Sequence, residues 1–471
     1  MKKILFVLFL MVFVLSACGT PENSIPTTTS TPTSSPTETP IPPTATLEPS
    51  PTPMPLGGGG NFIMQINPLL ASAEVSSEES AIWFSASTDG TNLERLDWQV
   101  WSISPDGKHA LTYNADNVVT LKNLDGSSDI PLDESLDYYI IPRSNVGNET
   151  TLWLPSGDVV VLAREKDNRT KFSVNIVSKE GKLTKLEKPS QIIKAYATFL
   201  FATPDGEKLF WKNCANQSCK YYVTALDDSE QTQIFGKLGS VQNVYISPSG
   251  KYASYVDNSG QKLRGCFIYD IAENTSTQLL PDDGLRGQDY CFGGNHWSPI
   301  EDKLFGITPT GFSLLSVPDG EVTTFSEVNV GSCYIANWTP DGKNIFLSTC
   351  TEENTYNENG MGSMGGIDNA YFYIRDFVKS AGARLINVAD GKVIEYPDAG
   401  FCNTSISPDS KWVLFYQCKD ENNLATVSPQ LLNLETKEMT PVLQELTSDN
   451  PDIYARNGGG VDQSWLVFWT P

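Results

Sequence analysis

Short runs of β-branched and aromatic residues recur along most of the chain, and polar turn residues bound each run. Tyr334–Trp338 (YIANW) and Asn344–Thr349 (NIFLST) are two such runs, and Trp412–Tyr416 (WVLFY) is a third. Runs of this composition and length are typical of β-strands. No segment between Gly57 and Pro471 has the period of a long amphipathic helix, so we predict an all-β protein.

A short polar motif, which we call the phrase, occurs seven times, each time between two of these strand-like runs. It reads TPDGK at Thr339–Lys343, and the other copies vary these letters. The copies begin at Ser104, Leu154, Thr203, Ser247, Ser298, Thr339 and Ser407. Proline in the second position has the φ of a type I turn, aspartate suits the third, and glycine takes the positive φ that ends a short hairpin loop. The phrase therefore predicts seven β-hairpins.

The copies begin 41 to 68 residues apart, and each interval holds further strand-like segments. After the turn at Ser247 these are Cys266–Ile271 and Thr275–Leu280. Four short antiparallel strands in each interval form one blade of a β-propeller. The pattern predicts a propeller of four-stranded antiparallel blades.

The two ends of the repeat region predict one more blade. Ala81–Ser87 and Asn92–Leu96 resemble outer strands without inner partners, whereas Asp452–Asn457 and Ser464–Thr470 resemble an inner hairpin. Pairing these N- and C-terminal strands would close the ring and remove its free sheet edges. We therefore predict eight blades, and a seven-bladed ring stays the alternative.

The phrase also carries a family resemblance. Trp338–Lys343 (WTPDGK) resembles the TolB-type, WD40-like propeller repeat, which also occurs in the propeller domains of prolyl-oligopeptidase-type peptidases. Leu154–Asp158 and Ser298–Lys303 depart from this pattern. The resemblance covers a propeller domain that we place at residues 78–471. In TolB-like proteins the propeller engages protein partners, so the resemblance implies a binding role.

The N-terminus has the organisation of a secretory signal. Met1–Lys3 is basic, Ile4–Leu15 is apolar, and Leu15–Cys18 (LSAC) resembles the bacterial lipoprotein signal. That resemblance implies a signal peptide at 1–17, acyl chains (palmitate among them) on Cys18, and an extracytoplasmic protein anchored to the cell membrane. An ordinary secreted protein is the alternative. Residues 18–60 are rich in Thr, Pro and Ser and predict a disordered stalk.

Charge and cysteine content narrow the class of partner and the compartment. The net charge of −23 repels phosphate groups, which excludes nucleic acid as a partner. Eight cysteines besides Cys18 predict disulfides outside the cytoplasm. Two pairs flank hairpin turns almost symmetrically and should face each other across them. The predicted pairs are Cys333–Cys350, Cys402–Cys418, Cys214–Cys219 and Cys266–Cys291.

Catalytic and metal-binding patterns are not found in the sequence. It contains no G-x-S-x-G elbow, and its two histidines, His109 and His296, lie far apart in the chain. We interpret His109 as structural and the repeat aspartates as turn formers. His296 is a candidate ligand-binding residue because it directly precedes Trp297-Ser298-Pro299. We predict no catalytic residue, metal or cofactor.

One insertion interrupts the repeat at residues 350–382 and accounts for the longest interval. Long connections on rigid scaffolds often carry function, so Tyr356, Tyr371 and Tyr373 are candidate partner contacts. The leading hypothesis is a lipid-anchored module that binds or scaffolds a protein or a glycan. One alternative is a glycan-active hydrolase or lyase with its site in the central funnel. Another is a structural surface-layer component.

Overall fold

The protein, seen here as a computed structural model, is all-β. The structure describes residues 60–66, 82–89, 92–113, 118–139, 151–193, 196–215, 218–236, 241–257, 266–278, 297–308, 311–325, 333–351, 379–396, 401–421, 424–442 and 467–470. One short helix, α1 (Glu187–Ile192), lies among these residues. No helix in the described ranges is long and apolar enough to cross a membrane.

The described strands form eight antiparallel sheets, each of which is one blade. Blade 1 contains β4 (Gln99–Ile103), β5 (His109–Tyr113), β6 (Val119–Asn123) and β7 (Ile130–Pro131). Blade 2 contains β8 (Leu136–Tyr138), β9 (Thr151–Trp153), β10 (Val159–Glu165), β11 (Asn168–Val177) and β12 (Leu183–Leu186). Both β8 and β9 pair with β10, so the innermost strand of blade 2 consists of two pieces.

Blades 3 to 5 follow in chain order. Blade 3 contains β13 (Tyr196–Ala202), β14 (Lys208–Ala215), β15 (Ser218–Ala225) and β16 (Gln231–Ile234). Blade 4 contains β17 (Val241–Ile246), β18 (Tyr252–Asp257), β19 (Cys266–Asp270) and β20 (Thr275–Gln278). Blade 5 contains β21 (Lys303–Thr308), β22 (Gly311–Ser316) and β23 (Val322–Phe325). Its innermost position is a single bridge between Trp297 and Leu304.

Two further blades and one shared blade complete the ring. Blade 6 contains β24 (Cys333–Trp338), β25 (Asn344–Thr351), β26 (Lys379–Asn387) and β27 (Val393–Tyr396). Blade 7 contains β28 (Phe401–Ile406), β29 (Trp412–Glu421), β30 (Leu424–Asn433) and β31 (Met439–Pro441). The shared blade contains β32 (Val467–Thr470), β1 (Asn61–Ile66), β2 (Ile82–Ser87) and β3 (Glu94–Leu96), in that order from the inside. The eight-bladed propeller closed by the two ends is confirmed.

The core consists of eight apolar clusters, one between each pair of neighbouring blades. Phe346 of blade 6 packs with Phe415 of blade 7, for example. Trp83 of the shared blade packs with Val100 of blade 1, which closes the last interface. Each blade therefore buries both of its faces, and its second strand is apolar without alternation. A residue at the beginning of that strand is fully buried in every blade: Phe62, Ala110, Val159, Leu209, Ala253, Leu304, Ile345 and Val413.

The recurring phrase forms the predicted hairpin turn. At Thr339 the Gly342 amide donates to the Thr339 carbonyl at 2.8 Å, and the Thr339 hydroxyl donates to the Asp341 carboxylate at 2.6 Å. The Lys343 amide also donates to Asp341, at 3.1 Å, and Gly342 has φ +67°. The turn is thus held by its own serine or threonine and aspartate, which explains why these residues recur.

The closing blade differs from the prediction in how the two ends divide it. Three of its strands come from the N-terminal end and a single strand comes from the C-terminal end, so the predicted division into two and two is wrong. β32 is the innermost strand, the place predicted for Asp452–Asn457, which lies outside the described residues. Asn61–Ile66 is the second strand, between β32 and β2, in the place predicted for Ser464–Thr470. Asn61–Ile66 also precedes the range 78–471 predicted for the propeller.

The reason is that one repeat is divided between the two ends. Trp469-Thr470-Pro471 repeats the letters of Trp338-Thr339-Pro340, but the rest of the turn does not follow it in sequence. Gly60 supplies the missing position, because its carbonyl accepts from the Thr88 amide at 3.1 Å. The Lys108 carbonyl accepts from the Leu124 amide in the same way in blade 1. Gly60, the last residue of the predicted stalk at 18–60, therefore belongs to the propeller.

Several tryptophans pack between blades, as their regular positions predict. Trp153 of blade 2 donates its indole N–H to the Ser102 hydroxyl of blade 1 at 3.0 Å. Trp469 of the shared blade donates to Ser405 of blade 7, also at 3.0 Å. Trp211 is fully buried and donates to Thr224 within its own blade. These rings therefore pack against the apolar clusters between the blades.

Candidate functional site

The alternation of the strands gives the propeller two different faces. In each blade the turns between strands 1 and 2 and between strands 3 and 4 lie at one end, which we call the turn face. The connections between strands 2 and 3, and from strand 4 to the next blade, lie at the other end, which we call the connection face. Antiparallel order alone requires this separation.

The turn face is regular and its hydrogen bonds are largely internal. Turns there also bond to their neighbours around the ring. The Ser249 hydroxyl of blade 4 donates to the Asp302 carboxylate of blade 5 at 2.7 Å. The Asp341 amide of blade 6 donates to the Ser410 hydroxyl of blade 7 at 3.1 Å. Polar groups that bond to one another in this way stabilise the ring and leave few donors or acceptors for a ligand.

His109 lies on the turn face at the start of β5, opposite Asn123. Burial raises the pKa of the nearby Asp106 carboxyl, but hydrogen bonds from Ser104 and the Lys108 amide, together with the charges of His109 and Lys108, outweigh it, and the net pKa lies below its ordinary value. Asp106 is therefore an ionised turn former, as predicted, and not a proton donor. No group of three or more potential metal ligands occurs among the described residues.

The connection face carries the cysteines of the described strands. Cys214 and Cys219 lie directly opposite each other at the ends of β14 and β15 and form a disulfide with a Cα–Cα distance of 4.0 Å, which confirms that predicted pair. The other described cysteines also lie towards the connection-face ends of their strands: Cys266, Cys333, Cys350, Cys402 and Cys418. Sequence spacing alone did not reveal that they share one face.

The strand register differs among the remaining predicted cysteine pairs. Cys333 lies directly opposite Cys350, as predicted. Cys402 lies opposite Tyr416 instead of Cys418, because β28 and β29 pair two residues away from the predicted alignment. Cys266 lies opposite Val256, and its predicted partner Cys291 is outside the described residues.

A basic and aromatic cluster occupies the connection-face end of blade 2. The Arg164 guanidinium donates to the Asp137 carboxylate at 2.9 Å and lies 5.7 Å from the centre of the Tyr139 ring. Burial, and then the charge of Asp133, raises the pKa of Tyr138 to about 12, so its phenol stays protonated. Asp137 is the carboxylate partner of Arg164 and joins it to the inner strand, whereas the Arg164 Nε and the Tyr138 hydroxyl are buried without a hydrogen-bond partner among the described residues.

The connection from blade 2 to blade 3 contains α1, which begins beside Asp228 of the β15–β16 turn, on the turn-face side of blade 3. The amides of Glu187 and Lys188 donate to the Asp228 carboxylate, at 2.9 and 3.1 Å respectively. At the other end of the helix, the Asn213 amide group donates to the Ile192 carbonyl at 3.0 Å. The connection from blade 2 is thus fixed to blade 3 at two points, and Asn213 directly precedes the disulfide.

The other predicted site residues lie outside the described residues: Cys18, His296, Tyr356, Tyr371 and Tyr373. The structure therefore does not bring these residues together. It does describe the strand ends Thr351 and Lys379, which flank the inserted segment and pair with each other at the connection face. Trp297, which follows His296, donates its indole N–H to Ser254 of blade 4 at 2.9 Å.

Comparison with known proteins finds similarity in solved structures only. No protein-family model and no curated protein matches the chain. TolB from Acinetobacter baumannii is 14% identical over 56% of this chain, with a TM-score of 0.32, and the match spans 62% of that TolB. A putative TolB from Agrobacterium tumefaciens is 14% identical over 75% of this chain and 96% of its own, with a TM-score of 0.33.

An oligogalacturonate lyase from Vibrio parahaemolyticus is 10% identical over 82% of this chain and 86% of its own, with a TM-score of 0.39. Similarities this distant say nothing about activity or ligand. The propeller assignment depends on the strand order and the eight interblade clusters of this chain.

Proposed function

We propose that this protein is a lipid-anchored, extracytoplasmic propeller that binds or scaffolds a protein or glycan partner through its connection face. The observation that carries the proposal is the division between the two faces. The turn face is made of short, internally bonded turns, whereas the described cysteines all lie towards the connection face. Binding sites on rigid scaffolds are usually built from connections of this kind.

The point where the chain enters the propeller supports this choice of face. Gly60 takes the position of the turn lysine, so the chain before it joins the propeller at the turn face. The connection face is therefore the end of the shared blade that does not receive the entering chain. The candidate contacts His296, Tyr356, Tyr371 and Tyr373 belong to connections between strands that end at the connection face, and they stay predictions.

The net charge of the protein restricts the chemical class of its partner. The net charge of −23 disfavours polyanions, including nucleic acids and anionic lipid headgroups. We therefore propose a neutral or basic protein surface, or an uncharged glycan. The proposal requires no catalytic group.

Membrane attachment is tested by the variant Cys18→Ala. We expect the variant to leave the membrane fraction and to appear in the soluble extracytoplasmic fraction, because a protein without acyl chains loses their apolar burial in the bilayer. Fractionation and immunoblotting measure the distribution. Ser16→Ala is the control, since it changes the same segment but keeps the cysteine, and it should stay with the membrane. A Cys18→Ala protein that remains with the membrane would show that Cys18 is not the anchor.

The use of the connection face is tested by photo-crosslinking in intact cells. We place a photoreactive amino acid at Lys220, an exposed residue beside the Cys214–Cys219 disulfide, and separately at Lys251, an exposed residue of the turn face. We expect a crosslinked product from the Lys220 position and none from Lys251. Protease and glycosidase treatment of the product identifies its class. Equal products from both positions, or a product from Lys251 alone, would contradict the proposal.

A further inference from the structure

We infer that Cys333 and Cys350 form a second cross-strand disulfide, in blade 6. The two residues are direct partners in the antiparallel ladder between β24 and β25. The inference concerns a covalent bond of the fold and goes beyond the proposed binding role.

Blade 3 supplies an internal precedent for this geometry. Cys214 and Cys219 are direct partners in the ladder between β14 and β15, and they are bonded. Directly opposed residues in an antiparallel pair have Cβ atoms about 4.5–5.5 Å apart, from which small adjustments reach the separation in a disulfide. Cys333 and Cys350 are also direct partners, but at a hydrogen-bonded position of the ladder, whereas Cys214 and Cys219 occupy a non-hydrogen-bonded position. Cα atoms at a hydrogen-bonded position lie about 5.5 Å apart, which is within the range of a disulfide.

The strand register also distinguishes this pair from the two cysteines of neighbouring blade 7. Cys402 and Cys418 are displaced by two residues in the ladder, since Cys402 pairs with Tyr416. Diagonal neighbours of this kind lie about 7–8 Å apart, at or beyond the limit for a disulfide without movement of the backbone. The register therefore favours Cys333–Cys350 over Cys402–Cys418, although sequence spacing predicts both equally.

The position of the bond indicates what it would hold. The register of β25 with β26 shifts between Thr349 and Cys350, and Cys350 then pairs with Ser380. Such an irregularity weakens the ladder locally. A bond from Cys350 to Cys333 would fix this end of β25 to the inner strand, beside the point where the inserted segment leaves the blade after Thr351.

The chemistry is an ordinary thiol oxidation. The two thiols lose two protons and two electrons, and one S–S bond forms. A disulfide oxidant accepts the electrons by thiol–disulfide exchange and is itself reduced to two thiols. In the cell this step requires the extracytoplasmic location proposed above. Oxidation of the purified chain by glutathione disulfide does not require it, so the disulfide and the cellular location can fail separately.

The test is a peptide map of the full chain under non-reducing conditions, after free thiols are blocked with an alkylating agent. Trypsin cleavage after Lys343 separates the peptide of Cys333 from that of Cys350. We expect the two peptides to be linked after glutathione disulfide treatment and separate after reduction. Cys214 and Cys219 lie in one tryptic peptide, 213–220, so their bond serves as the positive control through protection of both thiols from alkylation in the same sample. Alkylation of both Cys333 and Cys350, or a bond from Cys333 to Cys402 or Cys418, would overturn the inference.

A variant supplies an independent measurement. Cys350→Ser should expose one new alkylatable thiol, located at Cys333, when the denatured protein is compared with wild type. Cys219→Ser is the matched variant, and it should expose one new thiol at Cys214. If Cys350→Ser exposes no new thiol while Cys219→Ser does, Cys333 is either free or bonded elsewhere in the wild-type protein, and the inference fails.

Discussion

Replacement of Val467–Thr470 by Gly-Ser-Gly-Ser is expected to open the propeller ring. These four residues are the innermost strand of the shared blade and pair with Asn61–Met64. Trp469 also packs edge-on against Phe62, with ring centres 5.5 Å apart, and bonds to Ser405 of blade 7. Trp469 is partly buried, and loss of a core ring of this size typically costs about 3–5 kcal/mol. Because the backbone hydrogen bonds of β32 are lost as well, we expect the free energy of unfolding to fall by about 3 kcal/mol.

The same change should also alter association. Without β32, one edge of β1 loses its backbone partners, and an unpaired edge is a site for pairing with another chain. Urea unfolding measures the stability, and size-exclusion chromatography with light scattering measures the oligomeric state. Ser405→Ala is the control, because it removes only the acceptor of the Trp469 indole and should cost about 1 kcal/mol without new oligomers. A strand-replaced protein as stable as this control would show that β32 does not close the ring.

The second large effect is expected at Gly250, and Gly206 provides its matched control. Both are turn glycines with φ +70°, in blades 4 and 3 respectively. A Cβ atom on Gly250 would lie 2.7 Å from the Thr203 methyl group of the neighbouring blade, whereas one on Gly206 would meet nothing within 4 Å. Thr203 cannot turn away easily, because its hydroxyl bonds to Asp205 and accepts from the Lys208 amide.

We expect Gly206→Ala to lower the free energy of unfolding by about 1–2 kcal/mol, the cost of left-handed backbone for a residue with a Cβ. Gly250→Ala should lose the same amount and a further 1–3 kcal/mol, roughly, from overpacking between the blades. Urea unfolding of both variants measures the difference. Equal losses would mean that the turn of blade 4 can move away from Thr203 and that contact between turns does not stabilise the ring.

Contacts within one turn could be predicted from the sequence, whereas contacts between turns of different blades could not. The turn at Thr339–Lys343 could be predicted from its own residues, because the hydrogen bonds within the turn join residues no more than five apart. The contact of Gly250 with Thr203 could not, since the two residues belong to different turns and come together only when blades 3 and 4 pack. The recurrence of glycine in the sequence indicates a backbone with positive φ. It does not indicate that a side chain at position 250 would collide with Thr203 of the neighbouring blade.

The pairing of the cysteines on the connection face could also be predicted only in part from the sequence. Spacing correctly paired Cys214 with Cys219 and placed Cys333 opposite Cys350, because each pair flanks a single hairpin turn and no irregularity interrupts the described ladder between the pair and that turn. It did not reveal the register of Cys402, which depends on an irregularity between Cys402 and Thr404 in β28. Nor did it show that the described cysteines share one face, a relation that extends over several blades.

The sequence by itself determined the all-β class and the repeating hairpins, because each depends on turn chemistry and strand composition within one interval. It predicted eight blades but left a seven-bladed ring as the alternative. Only the tertiary structure decided how the ring closes. Asn61–Ile66 carries no turn phrase of its own, and the letters that would identify it, Trp469-Thr470-Pro471, lie at the other end of the chain. Its role as a second strand arises from burial between two blades and from pairing with β32, and neither can be read from neighbouring residues.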